Sequence, residues 1–206
     1  MEQHERQQEM RAIEHPQGMI SADWVPGPSQ GEWTYEDYAK LDDEQRYEIV
    51  NGVLLMAPAL NLWHQRIATK IAMYLGIYVD EPGHGHVYQG PDVRLAQEVF
   101  QPDVVVVLNK HFSKEMKQVV NGAPDLAIEV ASPGTASYDQ ITKYHRYARA
   151  GVSEYWMVNP QKRAIEVLVL EGSAYHSLRT FSGKDTLPSR IVPDLPVRVE
   201  QFFPEW

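Results

Sequence analysis

The sequence predicts an α/β fold, a mixed central β-sheet flanked by helices, and three observations predict it. Periodic segments run in the order helix, hairpin, helix, several strands, helix, strands, an alternation that packs helices against a sheet. Two unbroken apolar stretches, 104–108 and 126–128, have the character of strands buried on both faces. An Asn51-Gly52 pair stands between two apolar runs in RYEIVNGVLLM, the strongest short-range hairpin signal.

The elements follow in chain order. Residues 1–30 are rich in Glu, Gln and Arg and then in Pro and Gly, with little apolar surface to bury, so a flexible acidic tail is expected there. Thr34 with Asp37 three residues on resembles a helix N-cap that opens a helix over 35–41. The hairpin spans 46–56 and Pro58 ends it. Asn61 caps a helix over 62–78, with apolar residues at 67, 71, 74, 75 and 78. Residues 87–95 read as one strand and 103–108, behind Pro102, as a central one. The strand over 126–131 is broken by Ser132-Pro133-Gly134. A helix over 137–150 is closed by Gly151. Strands follow at 154–158, 164–170 and 174–181, and the proline-marked end VPDLPVRVEQFF packs back on the core. Residues 31–206 make a single domain by this reading.

The chain has 206 residues, 43% of them hydrophobic and 23% charged, enough for one sizeable core. There is no cysteine, which excludes a disulfide framework, a thiolate zinc site, an iron–sulfur cluster and a cysteine nucleophile. No apolar run exceeds five residues, far short of the roughly 20 that span a bilayer. The N-terminus has no signal-peptide core, so no membrane partner and a cytoplasmic location are expected. The net charge is −9, which taken whole argues against a nucleic-acid partner. Its distribution weakens that inference. Residues 1–48 hold 12 acidic and 4 basic side chains, a balance of −8, and the rest hold 16 and 15, a balance of −1.

The chemistry-bearing residues are carboxylates on strands predicted to be buried. Asp103 opens one such strand and Glu129 lies between Ile128 and Val130 in the next. Burying a carboxylate costs several kcal/mol unless it is paired, hydrogen-bonded or metal-bound. Two on adjacent strands would repel, and a divalent cation is a natural remedy. Hard oxygen ligands without cysteine favour Mg²⁺ or Mn²⁺ over Zn²⁺. The plainer alternative is that both sit at strand ends in solvent; Pro-Asp alone occurs four times here. Asp139 and Lys143 are i, i+4 on the helix after the Glu129 strand, and Tyr147 continues that face. They read either as an exposed ion pair or as a lysine returned over the carboxylates to hold a water and offset charge on a phosphate. His64 shares a stripe with Ile67, Ile71 and Leu75 and reads as a core or supporting histidine. The loop GHGH at 83–86 is read as a turn without chemistry.

The ordered set Tyr47-Glu48, Asn51-Gly52, His64, Pro102-Asp103, PDLAIEVASP at 124–133, Asp139, Lys143, Tyr147 and GVSEYW at 151–156 resembles the Uma-type putative restriction endonuclease family of the PD-(D/E)XK nuclease superfamily. The resemblance covers about residues 33–205 and implies a restriction-endonuclease-like core. In that pattern Asp103 is the acidic residue after proline and Glu129 opens the acidic-X-lysine element. The lysine expected two residues later is absent and Ala131 stands there; the family is similar in carrying its lysine on the following helix, which matches Lys143. The resemblance implies that Asp103, Glu129 and the carbonyl of Val130 bind Mg²⁺ (or Mn²⁺). It implies that Lys143 orients the attacking water or offsets phosphorane-like charge, with Glu48, Asp139, Tyr147 and His64 in support. Lys110, Lys114, Lys117, Arg146 and Arg149 are candidates to meet a phosphate backbone, or else line solvated surfaces.

Three functions compete. The first is a Mg²⁺-dependent endonuclease that hydrolyses DNA, for which a homodimer suits the two strands of a duplex. The second is a non-catalytic nuclease-like module that binds DNA or protein, favoured by the acidic leading segment and by Ala131. The third is a hydrolase of small phosphorylated molecules.

Overall fold

A computed structural model describes residues 19–43, 45–56, 61–113, 116, 118–132 and 139–205. It is a mixed α/β architecture with two six-stranded mixed sheets and few helices. One sheet holds β1 (Ile20–Ser21), β2 (Tyr47–Val50), β3 (Val53–Met56), β5 (Asp92–Leu95), β6 (Glu98–Phe100) and β8 (Val119–Asn121), in the order β1-β3-β2-β6-β5-β8. The other holds β4 (Gly85–Gln89), β7 (Val104–Leu108), β9 (Leu126–Val130), β10 (Glu154–Asn159), β11 (Ala164–Glu171) and β12 (Ala174–Ser182), in the order β12-β11-β10-β9-β7-β4. The helices are α1 (Tyr35–Tyr38), α2 (Leu62–Val79), α3 (Tyr144–Ala150) and α4 (Val199–Phe202), and a π-helical turn (Asp139–Lys143) leads into α3. Among the described residues no helix is long and apolar enough to cross a membrane.

The local signals explain the elements. Asn51 and Gly52 both take positive φ, 51° and 72°, as a two-residue hairpin turn requires, and the β2–β3 register pairs Val50 with Val53. Gly52 also admits a close approach, since a Cβ there would collide with the Gly31 carbonyl oxygen. The Asn61 side chain accepts the His64 N–H at 2.9 Å and starts α2. The helix then buries His64, Ile67, Ala68, Ile71, Leu75 and Val79, and each fully buried aliphatic side chain among them contributes about 1.5–3 kcal/mol.

The second sheet is apolar on both faces. Val104, Val106, Leu126 and Ile128 pack with α2, Trp156 and Phe202. The alternate residues Val105, Val107 and Ala127 pack with Val50, Val93, Phe100 and Tyr147, between the two sheets. Glu129 shares its parity with Ala127 and therefore points between the sheets. β9 and β10 are parallel neighbours, so the chain between them must cross over, and the π-helical turn and α3 lie in that crossover.

Three expectations change. The tail boundary expected at residue 30 does not hold for 19–30: Ile20–Ser21 pairs with β3, and Met19, Ala22 and Val25 are buried. Residues 1–18 lie outside the described residues. The strand expected over 87–95 divides at Gly90, whose φ is +60°, and Pro91, which has no N–H to donate; its halves join different sheets. The helix expected over 137–150 is a π-helical turn followed by a seven-residue α-helix, and Gly151 (φ 92°) closes it as predicted. Residues 133–138, which include its expected start, lie outside the described residues. The C-terminal segment carries α4 and buries Val192, Leu195, Val197, Val199, Phe202 and Phe203.

Candidate active site

Two carboxylates from different sheets meet one lysine. Glu48 lies on β2 with the parity of Val50, facing the interior between the sheets, and Glu129 comes from β9. The Lys143 ammonium lies 2.9 Å from Glu48 Oε1 and 2.9 Å from Glu129 Oε1. All three side chains are buried, at 5% exposure or less. One turn on, the Tyr147 hydroxyl donates to the same Glu129 Oε1 at 2.8 Å. Burial, then the Glu129 charge, push the Tyr147 hydroxyl well above its ordinary value, so it remains a donor through neutral pH.

Asp103 reaches the same region from the end of β7. The register Val104↔Ile128 brings it level with Glu129. Its Oδ2 accepts the Val130 N–H at 2.7 Å and lies 3.1 Å from His64 Nε2. His64 Nδ1 is buried and has no hydrogen-bond partner among the described residues. Support from behind runs through Gln101. Its N–H donates to Glu48 Oε1 at 3.0 Å. Its amide donates to Asp92 Oδ1 at 2.6 Å and to the Tyr38 hydroxyl at 3.2 Å, and its Oε1 accepts from Arg46 Nε at 3.1 Å. Gln101 carries no sequence signal beyond standing before Pro102-Asp103.

The residues present suit a hard divalent cation. Three carboxyl groups stand here, with one ammonium and one imidazole against them. The Val130 N–H bond to Asp103 brings the Asp103 carboxyl against the Glu129–Val130 segment, so two carboxylates and the Val130 carbonyl offer an all-oxygen donor set. Among the described residues no three His, Asp or Glu side chains form a metal-holding group by themselves.

Residues 35–200 match the family model Uma2, described as "Putative restriction endonuclease". The chain belongs to the Uma2 family. No curated protein matches its sequence. Its fold is similar to the crystal structure of "a putative nuclease belonging to DUF820" from Anabaena variabilis ATCC 29413. The TM-score is 0.71 at 16% identity, over 82% of this chain and 97% of that one. At that identity the likeness is one of fold.

In this Uma2 chain, then, Asp103, Glu129, Val130, Lys143, Glu48, Tyr147 and His64 come together. The side chain of Asp139 lies outside the described residues, as do Lys114 and Lys117. Lys110 is not brought to the carboxylates. It follows β7, whose five residues put roughly 16 Å of strand between it and Asp103, and its ammonium lies 3.8 Å from Asp125. Arg146 and Arg149 line a separate cavity of about 650 Å³ with Trp33, Asn51 and Glu98. There Arg146 donates to Asn51 Oδ1 at 2.9 Å and pairs with Glu98 at 3.4 Å. Ala131, where the motif's lysine is missing, lines a smaller hollow beside Glu129.

Proposed function

We propose that this protein is a divalent-metal-dependent endonuclease that hydrolyses DNA phosphodiester bonds, with Asp103, Glu129 and Lys143 as its catalytic residues. The observation that carries the reading is the approach of the Lys143 ammonium to Glu129 Oε1, 2.9 Å, from an element separate from β9. Lys143 thereby supplies the amine that Ala131 cannot. Asp103, Glu129 and the Val130 carbonyl would hold Mg²⁺ or Mn²⁺, which would supply Lewis acidity toward the scissile phosphate and a more acidic water. Lys143 orients that water by hydrogen bonding and offsets the negative charge that builds on the phosphate. Glu48 and Tyr147 position Lys143 and Glu129, and His64 positions Asp103. The buried setting strengthens each of these interactions relative to water.

The test is cleavage of supercoiled plasmid by the full chain with Mg²⁺, with Mn²⁺ and with EDTA, alongside D103A, E129A and K143A proteins whose folding is verified by circular dichroism. Cleavage is expected only with metal and only by the wild type. A folded E129A protein that cuts at the wild-type rate overturns the mechanism. A second reading, a non-catalytic nuclease-like module, draws on the position of Lys143. Its ammonium is already shared between two carboxylates, which a module without metal would retain. DNA binding with no cleavage under any metal would favour it.

A further inference from the structure

The hollow beside Glu129 has a volume of about 160 Å³, and its wall includes Ala131, Asn159, Lys162, Glu166 and Thr180. We propose that it seats a backbone phosphate of the DNA strand next to the one being cleaved, with Lys162 as the principal contact and Asn159 and Thr180 as hydrogen-bonding partners. The proposal rests on the nuclease reading and adds to it the surface along which the strand leaves the site.

Placement comes from the sheet. β10 runs parallel to β9 with Met157 opposite Glu129. Two residues further along, Asn159 ends β10, and the chain reverses through a turn in which Arg163 takes a φ of +47°. The Lys162 N–H donates to Asn159 Oδ1 at 2.9 Å, so the turn holds the lysine next to the asparagine at the rim. Thr180 is reached across the sheet, paired with Glu166. The hollow therefore runs from the proposed catalytic carboxylate to an exposed lysine.

Size and charge select the occupant. Pockets for whole small-molecule ligands run about 300–1,000 Å³, so this volume is too small for a nucleoside and suits one phosphate group. A polyanion approaching three carboxyl groups needs a cation at the entrance. Lys143 is buried between two of those groups, Arg146 is paired with Glu98 and Lys110 lies near Asp125. Lys162 lines the hollow and has no ion pair among the described residues. Two carboxylates, Glu129 and Glu166, also line the wall; Glu129 accepts from Lys143 and Tyr147, and Glu166 accepts a hydrogen bond from the Ser177 hydroxyl at 2.6 Å on the neighbouring strand.

The experiment measures affinity of the full chain for a fluorescein-labelled DNA duplex over a salt series in EDTA, for wild type, K162Q and K184Q. It is paired with plasmid cleavage by the same proteins in Mg²⁺. Lys184 is an exposed lysine outside the hollow and controls for net charge. Removing one lysine–phosphate interaction lowers the slope of log K against log salt by about 0.9, and K162Q is expected to show that drop while K184Q matches wild type. In cleavage, K162Q raises KM with kcat little changed. If K162Q and K184Q behave alike while wild type cleaves, the phosphate seat is overturned and the nuclease reading stands. If wild type binds without cleaving but K162Q lowers the slope, the seat stands and the catalytic reading fails. Failure of wild type to bind DNA at all overturns both.

Discussion

The Lys143 ammonium lies 2.9 Å from the carboxylate of Glu129 although the two side chains belong to different elements. Glu129 is held by a strand paired on both sides, whereas Lys143 ends a π-helical turn. Such turns insert a residue into the helical ladder and re-aim side chains, often at functional sites. Here Lys143 and Tyr147 are i, i+4 and both donate to the same oxygen, Glu129 Oε1.

Replacing Lys143 by methionine leaves Glu48 and Glu129 buried near each other without their shared cation. Removing one member of a buried charge group costs about 3–5 kcal/mol. The K143M protein should unfold at correspondingly lower urea concentration, and adding E129Q should recover part of the deficit because one of the stranded charges is gone. Equal midpoints for wild type and K143M would mean that the ion pairs contribute nothing.

Alkali should act through the buried and half-buried tyrosines. Burial is the first cause in each case: it raises Tyr147, Tyr38 and Tyr175, and pushes Tyr47 up to about 12. These groups have folded values above the unfolded value near 10. Their contribution is fully present below about pH 10 and is lost as pH climbs through that value toward the folded ones. Tyrosine absorbance should therefore show these groups ionising together with unfolding. Y147F should be destabilised by about 1.5–3 kcal/mol at neutral pH, the contribution of a hydrogen bond to a charged group. The gap to wild type should narrow above pH 10, where unfolded wild type gains by ionising Tyr147.

Glu154 gives the opposite end of the pH scale. It is fully buried, accepts the Trp156 indole N–H at 2.6 Å and the Arg190 N–H at 2.7 Å, and burial raises its carboxyl above the ordinary value. A raised folded value means that its stabilising share is complete below the unfolded value, about 4.3, and falls as pH rises through the folded value. The stability difference between wild type and E154Q should be more favourable to wild type at pH 4 than at pH 7. Denaturant midpoints at the two pH values read it, and an identical difference at both would show that Glu154 titrates normally.

Some features were legible from the residues and others were not. The Asn51-Gly52 turn, the Asn61 cap and the Gly151 terminus each depend on one or two side chains acting on their own backbone, and each appears where predicted. β6 and β8, three residues each, are too short to show a period of two. The split of 87–95 turns on which sheet each half joins, and no local pattern encodes that. In the site, the carboxylates were visible because acidic residues stand out in apolar strands. Gln101 and Lys162 were not, since polar residues beside a proline or in a turn look like ordinary surface.

By itself the sequence determined the order and type of most elements, the absence of thiol chemistry and the presence of acidic side chains within apolar strands. Those follow from preferences set within a few residues along the chain. Only the tertiary structure decided that Glu48, Glu129 and Lys143 share one buried point, that Asp103 leans on Val130 and His64, and that Lys162 stands at the rim. These arrangements join residues far apart along the chain. They depend on how two sheets bury their apolar faces against each other, a balance struck over the whole core.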